Sequence, residues 1–278
     1  MRASEQPMVS ICIPAYNSEA YILETVKAAL DQTWKNLEVL VVDDCSSDRT
    51  VEVLEKIDDP RFRLVENEVN LGMTGNWNRC VQLCRGEYIK LIPADDVVYP
   101  ECVEKSVKAL IKYPQVSLVI TDTDLIDPSG KKIGAYAHWP VAGAFDGAKI
   151  AKASVMLNNF YGNPVCAMFR KTDFIKVGGF DPDIPYILDF DLWLGLSRLG
   201  DVMMIREHLN AFRVREDSNT GKMTGKGGKK YTDEHARLVD KHRKLGTYPM
   251  NGAERTFSVV WRRLRNYLIA AFIRIKSA

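Results

Sequence analysis

The sequence lacks several features that would each define a class of protein. No run of eighteen apolar residues is present, so no transmembrane helix is expected, and the polar start Met1–Pro7 has no signal-peptide core. The six cysteines form no C-x-x-C pair and there is no N-x-S/T sequon, which indicates reduced, buried thiols in a cytosolic protein. A net charge of +2 provides no global cationic field, so no nucleic-acid partner is expected.

The usual phosphate-binding motifs are also missing. No G-x-G-x-x-G follows the first predicted strand, which disfavours a dinucleotide-dependent dehydrogenase. Gly221–Lys226 resembles a P-loop only loosely, because its spacing is one residue short and Gly227 replaces the Ser or Thr. A bound nucleotide would therefore need another anchor.

What is present is an alternation of strand and helix patterns in a chain of 278 residues that is 46% apolar. The order implies a mostly parallel α/β sheet with right-handed crossovers, flanked by helices. The predicted strands are Met8–Ile13, Leu37–Val42, Arg63–Glu66, Glu87–Ile92, Val116–Thr121, Gly162–Arg170 and Val202–Val214. The predicted helices include Glu19–Gln32, one capped by Ser46 and Ser47, Thr74–Cys84, Pro100–Lys112, Asp146–Leu157 and Asp189–Leu199, with a hairpin turn at Pro128–Gly130.

Polar residues follow three of the predicted strands, where open α/β sheets bind ligands. The corners are Pro14–Asn17, Asp43-Asp44 and Pro93–Asp96. Two of them carry paired acids, and carboxylates gathered without basic partners are costly unless they bind a cation. Oxygen ligands favour Mg²⁺ or Mn²⁺, whose remaining positions are commonly filled by water and substrate phosphates. This pattern indicates a nucleoside diphosphate substrate.

Five segments in the same order resemble the family 2 glycosyltransferases of the GT-A fold. They are Val9–Glu19, Leu37–Thr50, Asn70–Asn78, Gly86–Asp96 and Gly178–Leu194. The resemblance covers about residues 8 to 215, and the spacing matches as well as the composition. It implies a GT-A catalytic domain that transfers a sugar from a nucleoside diphosphate sugar to an acceptor hydroxyl with inversion, as an enzyme of the hexosyltransferase type.

The resemblance also implies roles for particular residues. Asp189 would be the general base, Asp96 the ligand of Mg²⁺ or Mn²⁺, and Asp95 would reach the ribose or the metal's waters. Asp44 would bind the base, with assistance from Asp43. Pro14, Tyr16 and Glu19 would line the base and ribose pocket. Apart from the resemblance, Arg215 is a candidate for the diphosphate, and Asn76 faces either the nucleotide sugar or solvent on a helix surface.

Three positions depart from the family pattern. Pro93 stands where the metal motif often has its first Asp, and Leu188 stands where an acid usually precedes the base. Arg215 replaces the histidine of a common Arg-x-His element, and an arginine cannot ligate a metal but can clamp a diphosphate. These departures keep open a non-catalytic nucleotide-sugar-binding protein. A sugar nucleotidyltransferase shares the sheet and the metal but would need a loop with Gly and Lys after the first strand, and Pro14–Ser18 has neither.

Structural interpretations of the acids also stay open at this point. Asp43 and Asp44 could form only a turn, and Asp95 and Asp96 could serve the dipole of the helix that follows. Asp189 could be a helix cap, in which case Asp191 would be the residue that matters. Trp77 and Trp193, like Cys80 and Cys84, are predicted to pack in the core.

The domain organisation is predicted as a catalytic domain followed by a loop and a tail. Residues 1–215 form the catalytic domain, with a nucleotide half at about 8–121 and an acceptor half at about 122–215. Residues 216–230 form a mobile Gly/Lys loop, whose part Ser218–Lys230 either folds over the diphosphate or is a solvated loop.

Residues 231–278 form a helical tail that is basic and amphipathic. An apolar stripe runs through Arg255–Lys276 at three- and four-residue steps, and no acid follows Glu254. Such a helix suits an anionic membrane surface and a glycan or lipid-linked acceptor, but packing on the catalytic domain or homodimer formation are equal alternatives. The expected location is cytoplasmic, with peripheral attachment to the inner face of the cell membrane left open.

Overall fold

The structure is a computed structural model that describes residues 6–215 and 228–276, with side chains for 6–215 and 232–265. The predicted Gly/Lys loop therefore lies outside the described residues up to position 227. No helix among the described residues is long and apolar enough to cross a lipid bilayer.

The described residues fold into one ten-stranded mixed sheet with helices on both sides. The strands are β1 (Val9–Ala15), β2 (Leu37–Asp43), β3 (Phe62–Glu66), β4 (Tyr88–Leu91), β5 (Val97–Val98), β6 (Val116–Ile126), β7 (Lys132–Tyr136), β8 (Gly143–Phe145), β9 (Ala167–Arg170) and β10 (Asp201–Arg213). The helices are α1 (Ile22–Leu30), α2 (Thr50–Leu54), α3 (Gly72–Leu83), α4 (Cys102–Lys112), α5 (Gly147–Met156), α6 (Lys171–Val177), α7 (Leu188–Ser197), α8 (Gly228–Lys244) and α9 (Gly252–Lys276).

The first four long strands form the parallel part of the sheet. β1 lies between β2 and β4, and β3 extends the sheet beyond β2, all in parallel register. Every residue of β1 and β2 is buried, because helices cover both faces, as the continuous apolar run Leu37–Val42 predicts. This arrangement brings the ends of β1, β2 and β4 to one edge.

The second half of the sheet mixes strand directions. β9 runs antiparallel between β4 and β6, while β10 runs parallel to β6. β5 and β8 pair antiparallel with β10, and β7 forms the predicted hairpin with β6 around Pro128–Gly130. The mostly parallel sheet expected from the sequence is thus confined to the nucleotide half.

Two local predictions are wrong, and one helix was missed. Ser46 and Ser47 do not cap α2; the helix begins at Thr50, whose N–H donates to Asp48 Oδ1 at 2.9 Å. Only the last four residues of Gly162–Arg170 form a strand, because a 3₁₀ turn at Pro164–Cys166 precedes them. Helix α6, which begins directly after β9, was not predicted.

The thiols follow the prediction with one exception. All six cysteines are free, and five of them are buried, including Cys80 and Cys84 in the core. Cys45 is exposed instead, at a left-handed backbone position with φ of 60°. Trp193 is fully buried, as predicted.

The two C-terminal helices pack on the catalytic body. α8 lies against α7, and α9 lies against α8 and α5. Ser258, Val259 and Arg262 form the buried face of α9, with Ser258 Oγ donating to Val155 O at 2.7 Å. Two residues of the predicted apolar stripe lie on another face, since Phe257 and Leu264 are each 48% exposed. The stripe residues Leu268, Phe272 and Ile275 lie outside the described side chains.

Candidate functional site

A cavity of about 760 Å³ opens where β1, β2 and β4 end, as expected for an open α/β sheet. Its walls come from the corners after these strands, the start of α7 and the end of β10. Seven predicted site residues line it: Pro14, Tyr16, Asp44, Asn76, Asp95, Asp189 and Arg215. Four predicted site residues lie outside the wall: Glu19, Asp43, Asp96 and Asp191.

The corner after β1 is tied to the corner after β2 by short polar contacts. Asn17 N donates to Ser46 Oγ at 2.8 Å, and Asn17 Oδ1 accepts from Ser47 N at 2.8 Å. Asn17 has φ of 46°, a left-handed conformation that asparagine tolerates better than most residues. This leaves Tyr16 projecting at the cavity rim, 53% exposed.

The two acids after β2 have separate environments. Asp43 is buried and turns into its own corner, where its carboxylate accepts from Ser46 N at 2.8 Å and Ser46 Oγ at 2.5 Å. Asp44 reaches the cavity, and its Oδ1 accepts from Asn67 Nδ2 and Leu71 N, both at 2.8 Å. Asp44 is therefore held rigidly while part of its carboxylate remains available to a ligand.

Asn76 of α3 joins the same network. Its Oδ1 accepts from Asn67 Nδ2 at 3.0 Å, and its Nδ2 donates to Val42 O at 3.0 Å. Glu19 lies away from the cavity, with Oε2 accepting from Arg49 N at 2.9 Å.

The second acid pair is also divided by the fold. Asp95 lines the cavity, with Arg215 Nε at 3.4 Å from its Oδ2. Asp96 lies behind it and is fully buried; its Oδ1 accepts from Arg213 N at 2.9 Å, while its Oδ2 has no hydrogen-bond partner. Burial and the neighbouring charge of Asp95 raise the pKa of Asp96 well above its ordinary value.

Two arginines and a tyrosine complete this side of the cavity. Arg213 is nearly fully buried; its Nη2 lies 2.7 Å from Glu24 Oε2 and its Nε donates to Asp95 O at 2.9 Å. The guanidinium groups of Arg213 and Arg215 lie 4.6 and 5.1 Å from the Tyr21 ring centroid. A positive group thus stands beside the Asp95 carboxylate.

Asp189 and Asp191 point to different sides of α7. Asp189 lines the cavity and is partly accessible, and burial raises its pKa to about 6 although the N–H groups of Phe190 and Asp189 oppose the shift. Asp191 is 3% exposed and turned away from the cavity, with both oxygens bonded to side chains of α8. A carboxyl with a pKa near neutrality suits a general base. Of the two acids of α7, Asp189 is the one that faces the cavity.

Several lining residues were missed from the sequence. Trp77 was expected in the core, but it is half-buried in the cavity wall, edge-to-face with Phe180 at 5.4 Å. The sequence offered only a weak indication of Tyr21 and Arg213: each lies two positions from a predicted site residue, Glu19 and Arg215 respectively. The other missed polar and aromatic wall residues include Asn17, Asn70, Asn159, Asn163, Tyr186 and Phe212.

The carboxylates of the site are compatible with a divalent cation. Among the described residues there is no group of three or more His, Cys, Asp or Glu side chains able to hold a metal. Mg²⁺ needs only one or two carboxylates when substrate phosphates complete its shell. Asp95 is the acid that could supply one from the cavity wall, with the unbonded Oδ2 of Asp96 behind it.

The chain is similar to known glycosyltransferases in sequence. The model of Glycosyl transferase family 2 matches residues 10–178. Chondroitin synthase of Escherichia coli is 33% identical over 219 residues, which are 77% of this chain and 30% of that protein. Hyaluronan synthase of Pasteurella multocida is also 33% identical, over 77% of this chain and 21% of its own length. The chain thus spans less than a third of these relatives.

The fold is also found in solved structures. Staphylococcus aureus TarS 1-349 in complex with UDP-GlcNAc superposes with a TM-score of 0.70 at 16% identity, over 91% of this chain and 70% of that one. TarS 1-349 alone gives a TM-score of 0.64 over 98% and 92% of the two chains, at 15% identity. The molecule is an α/β protein of the GT-A fold. With more than half of its residues matching the family, the chain belongs to glycosyl transferase family 2.

Proposed function

We propose that the chain transfers a sugar from a nucleoside diphosphate sugar to an acceptor hydroxyl, with inversion, in the synthesis of a glycan or a lipid-linked glycan. The observation that carries this proposal is a carboxyl of raised pKa, Asp189, in the same cavity as the acids of the strand corners. Family membership and the fold of TarS with UDP-GlcNAc support it.

The donor is proposed to lie along the corners after β1 and β2. This surface, the donor wall, consists of Pro14, Tyr16, Asp44 and Asn76. Tyr16 offers an exposed ring for stacking on a base, and Asp44 offers a fixed acceptor to a base N–H. The diphosphate would then extend toward Asp95 and the two arginines.

The reaction is proposed as a single displacement. Asp189 removes the proton of the acceptor hydroxyl while its oxygen attacks the anomeric carbon from the face opposite the diphosphate. The anomeric C–O bond to the diphosphate breaks, and the leaving group departs with the electron pair. Arg215 neutralises the negative charge that develops on the diphosphate. Arg213 and Arg215 both pack against the ring of Tyr21, and this contact helps to hold Arg215 in place.

A divalent ion on Asp95 would add Lewis-acid stabilisation of the leaving diphosphate. The sequence assigns the ion to Asp96, and this stays a prediction. Asp95 lines the cavity and Asp96 does not, which favours Asp95 as the direct ligand of the ion.

The outer face of α9 is proposed to attach the protein to an anionic membrane. Its apolar patch consists of Leu157, Phe257, Val260, Trp261 and Leu264, and the Trp261 indole donates to Leu157 O at 3.1 Å. Arg263 is exposed beside this patch, and no acid follows Glu254 in the chain. Exposed aromatic and aliphatic side chains flanked by arginine suit an anionic headgroup region.

The proposed activity is tested with a panel of nucleoside diphosphate sugars. The expected result is hydrolysis or transfer with one donor, release of the matching nucleoside diphosphate, and inversion at the anomeric carbon as seen by proton NMR. Binding of a donor without turnover would support a non-catalytic binding protein instead. Retention of configuration would contradict the role of Asp189 as a base.

A further inference from the structure

Helix α8 and the segment that carries Asp189 both lie beyond the family-matched residues 10–178, and side chains of α8 hold that segment. Lys241 Nζ lies between two carboxylates, 2.8 Å from Asp181 Oδ2 and 2.7 Å from Asp191 Oδ2. His242 Nε2 lies 2.9 Å from the other oxygen of Asp191. One residue of α7 is thus bonded through both carboxylate oxygens to consecutive residues of α8.

These contacts are protected from water. The side chains of His242 and Asp191 are 1% and 3% exposed, and that of Lys241 is 32% exposed. The second ring nitrogen of His242 lies 3.0 Å from Thr247 Oγ1, so the ring is held on both sides. Charge-assisted hydrogen bonds in such surroundings are strong and directional, and loss of one partner leaves a buried charge uncompensated.

Helix α8 also contacts residues on both sides of Asp189 in the chain, Tyr186 before it and Phe190 after it. Glu234 Oε2 accepts from Tyr186 N at 3.0 Å, at the approach to α7. The His235 ring stacks on Phe190, with centroids 6.4 Å apart and planes at 16°. Tyr186 and Phe190 both line the cavity, so α8 supports this wall at two residues in addition to its contacts with Asp191.

Because Asp189 and Asp191 lie on the same turn of α7, the contacts that hold Asp191 also orient Asp189. Residues two apart on an α-helix point to nearly opposite sides, because each residue turns the helix by about 100°. Asp191 is held on the α8 side, which directs Asp189 into the cavity. Rotation of this first turn would break the bonds of Asp191 before it moved Asp189.

We propose that Lys241 and His242 are positioning residues for Asp189, which makes α8 part of the catalytic unit although none of its described side chains, those of residues 232–244, lines the cavity. This inference rests on the proposed function, because it assigns Asp189 a reaction to be positioned for. It assigns neither residue a contact with substrate.

The test compares Lys241→Met with Lys244→Met, a matched change at an exposed lysine of the same helix. Lys241→Met is expected to lower kcat by about 10-fold to 100-fold, because small misplacements of a reacting group cost that much. The KM for the donor should change by less than about 2-fold, and Lys241→Arg should recover most of the loss, since it restores the charge. Lys244→Met should behave like the unmodified protein.

A second measurement needs no substrate. Carbon-13 NMR titration of the Asp189 carboxyl should give a pKa that differs between Lys241→Met and the unmodified protein, and that Lys244→Met leaves unchanged. Equal kcat in the two methionine variants, or an Asp189 titration that Lys241→Met does not move, would overturn the inference. Lys241→Gln is milder and gives the same comparison if Lys241→Met does not fold. Absence of turnover in the unmodified protein would reject the proposed function and leave the titration to decide the positioning.

Discussion

The two walls of the cavity are built in different ways. The donor wall is held by contacts between neighbouring corners of a parallel sheet, such as Asp44 Oδ1 accepting from Leu71 N at 2.8 Å. The wall around Asp189 is held by α8, through bonds that join residues 50 and 51 positions apart in the chain. On the proposed function, binding of the nucleotide would therefore depend on the sheet, whereas catalysis would depend also on the docking of a C-terminal helix.

The largest effect is expected at the base. Asp189→Asn should lower kcat by about 100-fold or more while donor affinity stays unchanged, because the amide cannot accept the acceptor's proton. Steady-state kinetics and calorimetric donor binding measure the two quantities, with the exposed Asp183→Asn as control.

The folded-state pKa of Asp189 lies above its ordinary value, so its ionised form destabilises the native state at pH 7. The thermal midpoint of Asp189→Asn should therefore be equal or higher, and normal turnover would reject the assignment.

A smaller effect is expected on the phosphate side of the cavity. Asp95→Asn should weaken binding of the nucleoside diphosphate about 10-fold in the presence of Mg²⁺ and should remove stimulation by the metal. Asp96→Asn should change binding much less, because Asp96 is buried and Asn retains an acceptor for Arg213 N. Calorimetry with and without chelator measures both variants. If Asp96→Asn is the more damaging change, the ligand predicted from the sequence is the right one, and full activity in excess chelator rules out a metal requirement.

The dependence of kcat/KM on pH tests the wall around Asp189 separately from the donor wall. Because Asp189 must be ionised to act and its pKa is about 6, kcat/KM should fall roughly 10-fold per pH unit below pH 6 and level off above it. The residual activity of Asp189→Asn should lack this acidic limb. A limb that persists in the variant would assign the titration to another group.

The smallest effect is expected far from both walls, on the outer face of α9. The unmodified protein should sediment with anionic liposomes at low salt, and Phe257→Ser with Trp261→Ser should reduce this severalfold without changing donor binding. Ile133→Ser, at another exposed apolar residue, is the control. Failure to bind liposomes, together with dimers that the double variant loses, would assign the patch to a protein interface.

The sequence predicted the donor wall better than the wall around Asp189. A strand pattern followed by Asp44 predicted a polar residue at this edge of the sheet, because the ends of parallel strands meet at one edge wherever the crossovers are right-handed. The separation of Asp95 from Asp96 could not be predicted, since it depends on Arg213 of β10 approaching from 117 positions away. The anchoring of Asp191 by α8 had no local signal either.

By itself, the sequence determined the alternation of strands and helices in the first half, the family and the position of its polar corners. These features depend on apolar periodicity and on turn residues close together in the chain. The tertiary structure alone decided which acid of each pair faces the cavity, that Trp77 belongs to its wall, and which face of α9 is exposed. Each of these depends on packing between distant segments, whose geometry no local pattern contains.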